Sequence, residues 1–249
     1  MFRLFSVTFL CVSLLACKES NKNFQKESAN PAIFHESVKA LTNVIVHDIF
    51  SPPVASRIYA YAGIGAYEAA RFGDSTYLSL AGQINHLSAI PVPENDKVYC
   101  FPMVSTLTYL KIGKVLIFSE DTLDIQIKKA LEFYKDTGMP EDVFERSISF
   151  ADSITAHIIR WSSLDNYKQT RSFPKYSLQK DPSTWKPTPP GYMDGIEPSW
   201  RLIRTFVMDS AQQFKPDPPT SFNMKDTTSK YYKEAKEVYL TVKNITEAQ

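Results

Sequence analysis

Apolar side chains recur every three or four residues along most of the chain, and no run alternates between apolar and polar as a half-buried strand does. This pattern predicts an all-α protein. A first helix is expected over 32–50, with Ile33, Val38, Leu41, Ile45 and Ile49 on one face. A second is expected over "SPPVASRIYAYAGIGAYEAA", Ser51 to Ala70, where Ser51 suits an N-cap and Pro52-Pro53 lose no needed hydrogen bond in the first turn. Val54, Ile58, Ala62, Gly65 or Ala66, and Ala69 then share one side, and its small residues admit a close neighbour. A third helix runs from about Val98 to Phe118, with Pro102 near its first turn. Ser119 is placed to cap a fourth, which ends near Tyr134 and repeats Leu123, Ile127 and Leu131 every four residues. Pro140 opens a fifth, with Val143, Ser147, Ile148, Ala151, Ile154 and Ile158 facing inward up to Trp161.

Beyond Leu164 the pattern changes. Nine of the sixteen prolines fall between "DNYKQTRSFPKY" and "KPDPPTSF", together with Trp185 and Trp200. Such a stretch is expected to be mostly extended, too aromatic to be disordered, and to wrap the helical body. A short helix is expected at about Trp200 to Phe206 and a final one at about Thr227 to Val242. The chain thus reads as a helical bundle over 32–164, a proline- and aromatic-rich wrapping segment over 165–226, and a C-terminal helix over 227–249. Thr246-Glu247-Ala248-Gln249 fits a capping box, so the sequence is expected to stop one turn into a further, truncated helix; a frayed polar tail is the plainer alternative.

The first residues carry a different signal. Arg3 precedes an apolar run from Leu4 to Leu15 that is short for a membrane span, and the run ends in Leu14-Leu15-Ala16-Cys17. Small residues before a cysteine resemble a bacterial lipobox. Residues 1–16 are therefore expected to be a lipoprotein signal peptide, with a diacylglycerol on Cys17 and a flexible tether over 17–31. A plain signal peptide or anchor with a chance cysteine is the alternative. The expected setting is an exported lipoprotein anchored in a bacterial cell envelope.

Charge and cysteine content narrow the classes of function. Net charge is +1, and loss of Arg3 by cleavage would leave 27 basic and 27 acidic residues, with no basic stripe for nucleic acid. With Cys11 removed and Cys17 lipidated, Cys100 remains alone, so no intramolecular disulfide forms; it reads as a small buried hydrophobe. His35, His47, His86 and His157 lack partners at helical metal-site spacing, so no metal site is expected. Gly63-x-Gly65 is not a dinucleotide loop, because position 68 is glutamate and no strand precedes it. Arg57 reads as solvated or ion-paired, and Glu68 with Arg71 as a surface pair. Trp185, Tyr192 and Trp200 are candidate groove residues for a sugar or lipid, though such aromatics more often anchor packing.

Three stretches together resemble one family, the bacterial vanadium-dependent haloperoxidase and acid-phosphatase-like proteins of the phosphatidic acid phosphatase type 2 superfamily. They are "SPPVASRIYAYAGIGAYEAA", "SFADSITAHIIRWSSLDNYKQTR" and "WKPTPPGYMDGIEPSWRLIRTFVMDSAQQFKPDPP". The resemblance runs from about residue 32 to 249 and implies an all-α fold. It also implies family chemistry of halide oxidation or phosphoester hydrolysis, at a vanadate or phosphate held by lysine, arginine and histidine. The family's three anion-site motifs are missing here. None of the eight arginines precedes proline, and no Ser-Gly or Gly-His pair occurs. Ser56-Arg57 begins the third motif, but Gly63 stands where its histidine is required. No catalytic residue and no cofactor are therefore assigned to this chain; vanadate would belong to a full-length relative, and the absent partner would be a C-terminal catalytic half. A non-enzymatic surface lipoprotein, binding a glycan or protein through the aromatic proline-rich face, is the competing expectation.

Overall fold

The computed structural model describes residues 24–246. Within them lie eight α-helices: α1 (Phe24–Ser28), α2 (Ala32–His47), α3 (Pro52–Ala70), α4 (Phe101–Val115), α5 (Glu120–Asp136), α6 (Glu141–Ser163), α7 (Tyr167–Thr170) and α8 (Lys230–Lys243). No strand occurs among the described residues, so the protein is all-α. The chain divides into two compact units, Met1–Leu164 and Asp165–Gln249. α1 lies inside the stretch expected to be a flexible tether, which is helical from Phe24, with Phe24 and Ser28 buried.

In the first unit α4 is the central helix, packed against α2, α3, α5 and α6. Ten of its fifteen residues are buried, including Met103, Leu107, Leu110 and Ile112. Its only charged residues, Lys111 and Lys114, are half-buried and pair with Asp152 and Asp124. Close approach depends on small residues. A β-carbon at Gly65 of α3 would lie 2.2 Å from Ile112 Cδ1 and 3.0 Å from Thr108 Cγ2. One at Gly113 of α4 would lie 3.0 and 3.1 Å from the methyls of Leu41 in α2. Ser105 Oγ donates to the Ala66 carbonyl at 2.9 Å across this seam, whereas the buried Thr108 hydroxyl has no partner among the described residues.

The buried faces follow the 3.6-residue period more strictly than the expected stripes. On α5 the seam is Leu123, Ala130 and Tyr134, with Ile127 and Leu131 only half-buried, because a four-residue repeat gains about 40° per turn on the helix. On α6, Val143, Ser147, Ala151, Ile154, Ile158 and Trp161 are buried as expected; Phe144 and Phe150 join them, and Ile148 is only half-buried.

α2 ends three residues short of Phe50. Ile49, expected on its buried face, is 88% exposed and adopts φ 56°. The Ile49 amide donates to the Val46 carbonyl at 3.2 Å and the Phe50 amide to that of Ile45 at 3.2 Å, the paired bonds of a Schellman motif with isoleucine in the place glycine prefers. That turn sets Asp48 against the start of α5. Its carboxylate accepts from the Phe118 amide (2.9 Å), the Ser119 amide (3.0 Å) and the Ser119 hydroxyl (2.5 Å). Ser119, expected to cap α5 itself, instead gives its hydroxyl to Asp48. Partial burial pushes the Asp48 carboxyl up, but the Ser119 and Phe118 bonds outweigh it and hold the group below its ordinary 3.8.

In the second unit, turns alternate with short extended stretches. The expected Trp200–Phe206 helix is only a 3-10 turn, Trp200–Leu202, after which Ile203 is extended. α8 is capped by Ser229, whose hydroxyl accepts from the Tyr232 amide at 3.1 Å.

Two measurements test this junction. A left-handed backbone costs a β-branched residue about 1–2 kcal/mol, part of which glycine returns as unfolded-chain entropy. Ile49→Gly is expected to stabilise the fold by roughly 0.5–1 kcal/mol in urea unfolding. Asp48→Asn is expected to cost about 1 kcal/mol at neutral pH. Because the wild-type carboxyl is depressed, its contribution is fully present above the ordinary carboxylate range and is lost as pH falls through its folded value. The deficit of Asp48→Asn should therefore shrink below about pH 4.

Candidate functional site

The second helix of the bundle carries two charged side chains that the sequence places on a solvated face, and both are buried. Arg57, in the second turn of α3, donates from Nη2 to the Ser162 carbonyl at 3.2 Å, and its guanidinium lies 4.9 Å from the centre of the Tyr61 ring. The last carbonyls of a helix lack partners within it, so a cation there both satisfies one and faces the negative end of the α6 dipole. Tyr61 in turn meets Trp161 edge to face at 5.0 Å, and Trp161 Nε1 donates to the Asn85 carbonyl at 3.1 Å. Arg57 is thus part of the packing between α3 and the end of α6, not a solvated residue.

Glu68 is 0% exposed. Its carboxylate accepts from Arg71 Nε (2.6 Å), from the Ser79 hydroxyl (3.0 and 3.1 Å to its two oxygens) and from the Leu80 amide (2.6 Å). Arg71 covers this group while lying 4.1 Å over the Phe72 ring. The expected surface pair is therefore a buried carboxylate that ties the connection after α3 back to its last turn.

His35, His47 and His86 are exposed, and His157 is half-buried with Nε2 3.4 Å from the Ser88 hydroxyl. No group of three or more potential metal ligands exists among the described residues. Cys100 is buried; burial pushes its thiol up, and its amide donates to Ser147 Oγ at 2.9 Å. Cys17, the expected lipidation site, lies outside the described residues. No helix among the described residues is long and apolar enough to cross a membrane.

The aromatic candidates separate. Trp185 and Tyr192 line one groove of about 640 Å³ in the second unit, with Tyr176, Pro189, Pro190 and Asp194. Trp200 does not line it and meets Tyr167 edge to face at 6.4 Å. Tyr176 and Asp194 escape a search for tryptophans in a proline-rich stretch. The available signal is the short spacing of Tyr176, Trp185 and Tyr192 around Pro189-Pro190.

No protein-family model matches the sequence, and no curated protein does. Among solved structures, the chain is similar to a bacterial vanadium-dependent iodoperoxidase, at 40% sequence identity and a TM-score of 0.80. The match covers 87% of this chain and 53% of that protein. The chain has the vanadium haloperoxidase-like fold. It spans about half the length of the relative it matches.

The vanadium-dependent relative would need a vanadate ion, and among the described residues Arg57, the arginine of the sequence's single Ser-Arg pair, is not placed to hold one. An oxyanion of that kind needs several cationic donors converging on one point and an imidazole at hand. The single Ser-Arg pair turns its guanidinium to a helix-end carbonyl and an aromatic ring, and Gly63, one turn and a half further on, has no side chain to supply. In this part of the fold, Arg57 and Glu68 serve packing.

Removing the Glu68 carboxylate would leave the Arg71 guanidinium, the Ser79 hydroxyl and the Leu80 amide facing a buried hole. Glu68→Ala is expected to destabilise the protein by about 3 kcal/mol or more, and Glu68→Gln by less, in thermal or urea unfolding. A loss below about 0.5 kcal/mol would show that Glu68 behaves as the surface residue its sequence context suggests.

Proposed function

We propose that this chain is the N-terminal helical portion of a vanadium haloperoxidase-like protein, tethered to a membrane through a lipid on Cys17, and that it performs neither halide oxidation nor phosphoester hydrolysis alone. The observation that carries this reading is the extent of the likeness: 40% identity over 87% of this chain, against 53% of a vanadium-dependent iodoperoxidase. The absence from these 249 residues of all three anion-site motifs supports it. The chemistry of such a protein would need several fixed cations and an imidazole converging on one oxyanion, which they would hold and whose developing charge they would stabilise. On this reading those groups belong to sequence these residues do not include, and the present chain supplies scaffold and tether. A lipid-held scaffold also suits the polar residues that follow Cys17 in the sequence.

The purified chain, with and without orthovanadate, is expected to give no iodide- or bromide-dependent peroxide turnover and no hydrolysis of nitrophenyl phosphate above a blank. The vanadium-51 resonance of vanadate should be unchanged by the protein. Turnover above the blank, or a protein-bound vanadium signal, would overturn the reading. Separately, Cys17→Ser is expected to abolish incorporation of labelled palmitate in a bacterial host and to move the protein from the detergent to the aqueous phase on partition.

A further inference from the structure

The groove of the Asp165–Gln249 unit has no part in the scaffold role. It holds about 640 Å³ and is lined by the rings of Tyr176, Trp185 and Tyr192, with Met193 beside them. Two of these rings are set in place by the protein itself: Tyr176 meets Trp185 edge to face at 5.4 Å and 77°, and its hydroxyl donates to the Trp185 carbonyl at 3.1 Å. A β-carbon at Gly195 would lie 3.3 Å from Tyr176 Cβ and 3.7 Å from Trp185 Cζ3, so glycine keeps the floor between them clear. Asp194 is the only charged residue of the lining, which contains no lysine, arginine or histidine. Among the described residues its carboxylate has no ion pair and no hydrogen bond.

Aromatic faces carry negative potential and attract cations, most strongly when water is excluded by apolar neighbours. A carboxylate in the same wall adds to that attraction and repels anions. A sugar ring would also stack on Trp185, but it requires a set of side-chain donors and acceptors around its hydroxyls, and this lining is mostly ring, proline and backbone. We propose that the groove binds an organic cation, an ammonium or quaternary ammonium head on a short apolar body. The aromatic faces take the head and Asp194 balances its charge. This site is independent of the scaffold role, and either can fail without the other.

The probe is choline, titrated into the full chain at low ionic strength, with 3,3-dimethyl-1-butanol as its neutral isostere. Trp185 fluorescence is separated from that of Trp161 and Trp200 by the Trp185→Phe variant, and calorimetry gives an independent affinity. Choline is expected to produce a saturable change that Trp185→Phe removes from the fluorescence, with the alcohol binding at least about fivefold more weakly. Asp194→Asn should weaken choline binding by about fivefold, and molar salt should erase most of that difference by screening an exposed charge. Both variants alter exposed side chains, and an unchanged circular dichroism melt establishes that they fold. Equal binding of choline and the alcohol, or an Asp194→Asn variant that binds as well as the native protein, would overturn the proposal in favour of a plain apolar groove. No saturable response from the folded chain would also overturn it. So would a glycan-array signal that needs Trp185 when choline gives none.

Discussion

The close approach of α3 to α4 is the constraint on which the first unit depends. α4 is enclosed by four helices, so each neighbour must come near enough to exclude water from a different side of it. Gly65 and Gly113 make that possible, because a side chain at either would collide with Ile112 or Leu41. Each fully buried leucine, isoleucine or methionine contributes roughly 1.5–3 kcal/mol only while packing stays this tight. The Gly-x-Gly of the sequence therefore divides: Gly65 is required by packing, while a β-carbon at Gly63 would meet nothing within 4 Å.

Enclosure of α4 explains why the charges of α3 are buried. With α3 drawn inward, Arg57 and Glu68 are carried beneath the surface and must find partners there. Arg57 finds one at the end of α6, 105 residues later, and Glu68 finds its own in the loop that leads away from α3. Each bond ties a connection to the helix core. Asp48 does the same work at the start of α5, with Phe50 and Phe118 stacked at 4.6 Å beside it. An isoleucine in the left-handed region is the cost of aiming Asp48 there.

The likeness to a vanadium-dependent iodoperoxidase gives these features a common meaning. Ties between helix ends, as at Arg57 and Asp48, would suit the scaffold role proposed for this chain. The aromatic unit after Leu164 is built otherwise, from turns and ring contacts such as Tyr176 with Trp185 and Phe222 with Tyr231, with no buried residue on α8. Its groove was half legible in the sequence. Trp185 and Tyr192 stood out as large rings in a proline-rich stretch, but Trp200, equally conspicuous, packs against Tyr167 instead. Asp194 carried no signal, because a lone carboxylate acquires meaning only from the rings around it.

By itself the sequence determined the helical class, the number and rough extent of the long helices, the small-residue face of α3, and the resemblance to vanadium haloperoxidase-like proteins. Those follow from local periodicity and from motifs a few residues long, which a chain states directly. Tertiary structure alone decided which charges are buried, that Ser119 serves Asp48 instead of its own helix, that Ile49 turns outward, and which rings share a groove. The partners lie as far as 71 residues away for Ser119 and 105 for Arg57, and the free energy that selects them comes from excluding water between elements, which no single segment encodes.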